Sequence, residues 1–333
     1  MGKTDTITKD YMRRTDIFAD VFNQFIYHGV QRIASDSLVE LDTTEIAVPY
    51  GEDGVSVPNQ RYRDVAKILT AKTDGKAAYC ILAVENESKI NYAMPVKNGL
   101  YDFMQLARQV AETTGSHKRT PNDSAKPSKD EFLSGFWKSD RLLPVVTLTV
   151  YFGADTWDGP LCLKQMYTDC SEELLKYAAD YQINLISPAS LSDEEMDGFQ
   201  TSFREVMKYI KYSTNGKELK KLLSTDKRFK RVERQAADVI NTVTGSKVKY
   251  SETEEMIDMC LAIQEIREEG REEGREEGRE KGREEGRIEG EIIGVIRSNK
   301  KWGIPQEDTR QYIMEEYQKS AEETEVFMSM YWK

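Results

Sequence analysis

AAYCILAVEN, residues Ala77–Asn86, is a nearly continuous apolar run of strand length with a carboxylate near its end. An unbroken apolar run, rather than an alternation, is what a strand buried on both faces requires, so this segment is expected at the centre of a sheet. Upstream, Leu41–Pro49 (LDTTEIAVP), Val55–Val57 and Arg61–Thr70 read as extended segments, with a turn-rich YGEDG at Tyr50–Gly54. Before them Ile17, Phe18, Val21, Phe22, Phe25 and Ile26 recur at helical spacing, which predicts a helix over 15–28 ended by Gly29. Downstream, Val96–Glu112 sets Leu100, Phe103, Met104, Ala107 and Val110 on one helical face. His117–Asp130 reads as an exposed loop, and Leu142–Phe152 (LLPVVTLTVYF) and Gln182–Ser187 (QINLIS) as two more strands. Helix, three strands, helix, two strands predicts an α/β sandwich with a mixed sheet.

The chain has 333 residues, 39% of them apolar, enough for one large domain with an appendage or two smaller ones. Its longest apolar run, Leu142–Phe152, falls well short of the roughly 18 residues that span a bilayer. The charged MGKTDTITKDYMRRTD start carries no readable secretory signal, so a cytoplasmic location is expected. Cys80, Cys162, Cys170 and Cys260 are scattered without CxxC spacing, and only His28 and His117 are present for a zinc site or a histidine relay. Metal chemistry therefore falls to the 58 carboxylates. The net charge of −11 argues against a uniformly basic nucleic-acid binder, yet Arg204–Lys249 holds 13 Lys/Arg against 5 Asp/Glu. Helical patterns over 191–211 and 216–244 make this a candidate DNA-binding stretch, its basic helices from Arg204 to Arg234 supplying sequence-independent phosphate contacts.

Further on, Arg267, Arg271, Arg275, Arg279, Arg283 and Arg287 recur every fourth residue, with glycines in step from Gly270 to Gly294. A period of four against 3.6 residues per turn holds no stationary face, each glycine costs about 1 kcal/mol, and pairs such as Glu268–Arg271 return about 0.2–0.5 kcal/mol. A poor helix acting as a mobile, solvated spacer is expected. Beyond it, Gly303 and Pro305 predict a turn between two short amphipathic segments. Trp302, Tyr312, Tyr317, Phe327, Tyr331 and Trp332 are available there for a small core. The expected organisation is a domain over 1–250, a charged linker over 251–297 and a small helical unit over 298–333.

Strand alternation puts Tyr62, Asp64, Ala66 and Ile68 on one face and Tyr79, Ile81, Ala83, Glu85 and Glu87 on one face of the next strand. A carboxylate at the end of a buried strand is costly unless paired or metal-bound, and adjacent strands could bring Asp64 and Glu85 together. Close carboxylates suit Mg²⁺, which takes oxygen ligands and keeps several waters. The plainer alternative is a pair of solvated strand-end acids salt-bridged to Arg61, Arg63 or Lys67. Lys97, Tyr101, Gln105 and Arg108 form a polar helical stripe that could touch a phosphate, and Asp16 or Asp20 could add an acid to the site.

The element order, Asp64, the apolar strand running into Glu85-Asn86-Glu87-Ser88, and MPVKNGLYDFMQLARQ together resemble the PD-(D/E)XK (restriction-endonuclease-like) core. More narrowly they resemble the recombination-promoting nuclease (Rpn) family of bacterial transposase-like proteins, over residues 8–245, and the REEGREEG tail is similar to the family's charged, glycine-punctuated one. The resemblance implies a DNA endonuclease of recombination or mobile elements, with Mg²⁺ or Mn²⁺ held by Asp64 and Glu85. At position 87 this chain departs: the superfamily has Lys, this family usually Gln, and here stands Glu. A lysine would stabilise charge developing on the phosphate, whereas a third carboxylate repels phosphate unless it binds metal itself. Lys89 or Lys97 could substitute. Two alternatives stand beside the endonuclease: a disabled nuclease fold that binds DNA or a partner, and a homo-oligomer assembled through the glycine face of the repeat.

Overall fold

A computed structural model describes residues 3–41, 44–47, 59–62, 64–70, 78–119, 127–251 and 253–332. The expected turn at 50–54, the extended segment 55–57, Arg63 and the middle of the 117–130 loop lie outside these residues. Along the chain run α1 (Lys3–Arg13), α2 (Thr15–Tyr27), β1 (Leu38–Glu40), β2 (Thr44–Ala47), β3 (Asn59–Tyr62), β4 (Val65–Thr70), β5 (Ala78–Glu87), α3 (Met94–Arg119), α4 (Lys129–Ser134), β6 (Val145–Tyr151), α5 (Glu172–Leu175) and β7 (Asn184–Ile186). There follow α6 (Asp193–Asp197), α7 (Phe203–Tyr212), α8 (Gly216–Thr225), β8 (Val232–Glu233), α9 (Arg234–Thr244), β9 (Met256–Ile257), α10 (Met259–Lys301), α11 (Gln306–Glu316) and α12 (Ala321–Tyr331).

Five strands form one sheet in the order β1-β4-β5-β6-β7, so β5 is central, as its apolar run requires. β1, β4 and β5 pair antiparallel; β6 and β7 add on in parallel, reached from β5 through α3. Ile81, Leu82, Ala83 and Val84 are all buried. Helix α2 packs Ile17, Phe18, Val21 and Phe22 into the core and ends where His28 and Gly29 take positive φ, a conformation that Gly29 adopts without strain. The sequence pattern does not reveal α1, because its buried side is built from Thr8, Tyr11 and Met12 rather than an aliphatic stripe. The Tyr11 hydroxyl and Ser202 hydroxyl share a hydrogen bond of 2.9 Å that ties this helix to the start of α7.

Helix α3 spans more than the expected segment and turns its polar side to the sheet. Asn98 Nδ2 donates to Thr149 Oγ1 at 2.8 Å, and Asp102 accepts from Thr147 Oγ1 at 2.6 Å and from the Tyr181 hydroxyl. The stripe that amphipathicity would bury, Leu100, Phe103, Met104, Ala107 and Val110, faces outward, Met104 half-buried and the others exposed, Phe103 at 66%. The reason lies in β6, which presents Thr147 and Thr149 to the helix, so hydrogen-bonding partners and not aliphatic side chains match it.

The basic stretch also differs from the expected pair of long helices: it breaks into α7, α8, β8 and α9. Arg204 is buried against Asp197, Glu205 and Asp226, Lys208 against Asp197, and Arg228 joins Glu205. Arg204, Lys208 and Arg228 are thus paired with carboxylates of the same domain, and that much of the expected phosphate-binding face is consumed internally.

The chain divides into compact units Met1–Ala262 and Ile263–Lys333. In the second, the repeat, expected to be a poor helix, is helical throughout as part of α10 and exposed, supported by pairs such as Arg275–Glu272 and Arg287 with Glu284 and Glu291. Its core is Ile292, Ile296, Ile313 and Met328, edged by Tyr317, Phe327, Tyr331 and Trp332. Trp302 and Tyr312, expected inside, are 75% and 46% exposed, because the last turns of α10 supply aliphatic residues in their place. The turn at Gly303 and Pro305 forms as expected, Gly303 at φ 74° and Pro305 at the start of α11.

A Cβ at Gly274, Gly278 or Gly282 would meet nothing within 4 Å. Replacing all three with Ala is expected to stabilise α10 by about 1 kcal/mol per site, read as greater helicity and a higher melting midpoint by circular dichroism. An unchanged melt would show that the repeat is not helical in solution.

Candidate functional site at the carboxyl end of the central strand

The antiparallel register of β4 and β5 pairs Val65 with Val84, so one residue further out it sets Asp64 opposite Glu85. Asp64 sits at a bend before β4, half-buried, where its Oδ2 accepts the Asn86 backbone N–H at 2.8 Å. Glu85 is 1% exposed. Glu87 lies two residues on, on the same face, its position fixed by pairing with Tyr151 and by the Phe152 N–H donating to its carbonyl at 2.8 Å.

Opposite these carboxylates, Lys97 reaches in from the first turn of α3. Its Nζ stands 2.7 Å from Glu87 Oε1 and 3.1 Å from Glu85 Oε2. Burial opposes the charge of this ammonium, but the fields of Glu85, Glu87 and Asp64 outweigh it and raise its pKa above the ordinary lysine value. At Asp64 burial dominates: the pKa rises, against the opposing pull of the Asn86 N–H, Lys97 and Lys9. The structure therefore brings together Asp64, Glu85, Glu87 and Lys97.

The remaining expected residues stand elsewhere. Gln105 is 2% exposed and Arg108 pairs with Glu112 at 2.9 Å; helical rise puts them about 12 and 16 Å along α3 from Lys97. Lys89 is exposed beyond the end of β5. Asp16 pairs with Arg14, and Asp20 is buried, accepting the N–H groups of Gln200 and Thr201. Lys67 turns to the other face of the sheet, its ammonium 5.6 Å from the Phe18 ring, and does not serve Asp64. The helical neighbours of Asp64 that sequence reasoning missed are Asp5 and Lys9 of α1. The only trace of them is an acid and a base at i, i+4 in a segment whose helical character is itself hidden.

Among the described residues, no group of three or more Asp, Glu, His or Cys side chains is arranged to hold a metal ion. Asp64 and Glu85 are nonetheless hard oxygen donors at one end of two paired strands, and Mg²⁺ often takes one or two carboxylates with water and substrate oxygens completing its shell. The donor chemistry fits such an ion on this pair. The Asn86 side-chain amide makes no hydrogen bond among the described residues, but alternation turns it to the opposite face, so it adds no ligand. Comparison with known proteins finds no matching family model, no matching curated protein and no matching solved structure.

The raised pKa of Asp64 has a stability consequence. Below the ordinary value of 3.8 both folded and unfolded chains hold this proton. As pH rises above it the unfolded chain releases the proton while the fold still retains it, so stability is lost through that window and stays lower above the folded pKa. Asp64→Asn, which keeps an acceptor for the Asn86 N–H, is expected to melt above wild type at about pH 7 and level with it at about pH 3. A lower melting midpoint for the variant at neutral pH would show that the ionised carboxylate stabilises the fold.

Proposed function

We propose that the chain is a metal-dependent DNA endonuclease with a PD-(D/E)XK-like core. The observation that carries this reading is the convergence of Asp64, Glu85, Glu87 and Lys97 at the carboxyl end of β5, opposite the register partner from β4. The connectivity supports it as well: a helix, three strands paired antiparallel, a crossover helix and a strand in parallel beside the third.

Bound by Asp64 and Glu85, Mg²⁺ or Mn²⁺ would polarise the scissile phosphate and lower the pKa of a bound water. The chain's own groups divide the rest of the work. The Asn86 N–H fixes the rotamer of Asp64. Lys97 offsets the carboxylates, which would otherwise repel a phosphodiester, and its ammonium faces the charge that develops on the phosphate oxygens. Lys217, Lys220, Lys221, Lys227, Lys230 and Arg231 remain exposed on α8 and the turn after it, where they can follow a phosphate backbone without reading sequence. Binding through them weakens steeply with salt.

Incubating supercoiled plasmid with Mg²⁺, Mn²⁺ or EDTA tests the reading directly. Nicking is expected with either metal, none with EDTA, and a loss of at least about 100-fold in Asp64→Ala and Glu85→Ala, both checked for fold by circular dichroism. Wild type that retains DNA with a steep salt dependence but never cuts it would replace the enzyme with a nuclease-fold binding protein.

A further inference from the structure

Within the nuclease reading, on which this rests, we infer that Glu87 is the positioning residue for Lys97: it keeps the ammonium at the site when Glu85 turns to the metal. Lys97 is shared between two carboxylates of unequal environment. Glu85 is buried and stands opposite Asp64, so it is the one placed to become a ligand. Glu87 makes the shorter contact, 2.7 Å against 3.1 Å, and lies one alternation further out on the same face. With Glu85 committed to a cation, Lys97 would be repelled by that charge, and Glu87 would be the group that holds it within reach of the phosphate.

The geometry around the pair is rigid on both sides. Glu87 is fixed by the parallel ladder to Tyr151 and the hydrogen bond from Phe152 N–H. Lys97 is fixed by the rotation of α3, which Asn98 with Thr149 and Asp102 with Thr147 set. An ammonium beside the second carboxylate is what a strand lysine at position 87 would provide. Here the polarity is reversed: the strand offers a carboxylate and the helix sends the lysine to it. Glu87→Lys by itself therefore does not restore a site, since it sets two ammonium groups against each other.

The test uses the full chain, plasmid nicking with Mn²⁺, Mn²⁺ binding by calorimetry and the NMR signal of the Lys97 side-chain ammonium, whose protons are visible when held in a salt bridge. Glu87→Gln is expected to lower kcat about 100-fold with KM for plasmid and Mn²⁺ affinity near wild type, and to broaden or shift the Lys97 signal. The charge exchange Glu87→Lys with Lys97→Glu is expected to recover at least about tenfold over Glu87→Lys alone with the two variants melting at the same temperature, whereas a purely structural role would recover activity only together with the melting midpoint. Wild-type kcat and an unchanged Lys97 signal in Glu87→Gln would overturn the proposal, as would an exchange variant no better than the single one. If wild type itself never cuts DNA, the nuclease reading falls and with it the catalytic purpose of the pair; the Lys97 signal in Glu87→Gln then reports separately whether Glu87 holds the lysine.

Discussion

A carboxylate buried at the end of a central strand is costly unless it is paired, and at Glu85 the partner is the Lys97 ammonium. The same ammonium feels the fields of Glu85, Glu87 and Asp64, while Lys9 and Asp5 of α1 also act on Asp64. At Asp64 burial raises the pKa, with Asp5 adding to it, although Lys97 and Lys9 are near. An excess of negative charge withdrawn from water is relieved by a proton or by a further cation. The end of β5 thus gathers charged groups that the fold has to hold in place from elsewhere.

The support comes from the side of α3 that faces the sheet. Aliphatic packing tolerates small rotations of a helix, but the donors and acceptors on Asn98, Asp102, Thr147 and Thr149 have fixed directions. Turning α3 by one residue, about 100°, would leave buried polar groups without partners and carry Lys97 away from both glutamates. Tyr181 closes the same network by donating to the second oxygen of Asp102, so the segment preceding β7 takes part in aiming a lysine at the central strand. The polar seam costs hydrophobic burial, visible in the outward-facing Leu100 and Phe103, and in return it fixes one rotation.

This seam also marks where the sequence stops being legible. The central strand could be read because burial on both faces leaves an apolar run, and Asp64, Glu85 and Glu87 could be placed on shared faces because the period of a strand is two. Their opposition was legible only as an option, since register depends on pairing and not on either strand alone. Lys97 is legible as a candidate on the polar stripe of the helix, but its reach to Glu85 and Glu87 follows from the rotation of α3, and periodicity points to the opposite face because it does not record that β6 presents threonines. Helix α1 escaped for a related reason, its buried side being carried by Thr8, Tyr11 and Met12. The basic stretch is legible only in part, for a different reason. A local excess of Lys and Arg counts charges without their partners, and Asp193 and Asp197 at the two ends of α6 and Asp226 just after α8 answer Lys211, Arg204 and Lys208.

The repeat separates two questions that its composition merges, whether it is helical and whether it has an interface. Helix formation needs only that the ends be fixed and that local pairs offset part of the glycine cost; the aliphatic cluster of Ile292, Ile296, Ile313 and Met328 anchors one end, and Arg287 pairs forward and backward. An interface needs more. Glycines every four residues advance by about 40° around the helix at each repeat, so from Gly270 to Gly294 the small-residue stripe winds through about two thirds of a turn. A straight partner helix would follow it for only two or three repeats before meeting Arg and Glu side chains. Helicity in this segment therefore adds nothing to the case for assembly through its glycines, and the period itself argues that the stripe is a consequence of the repeat unit rather than a seam.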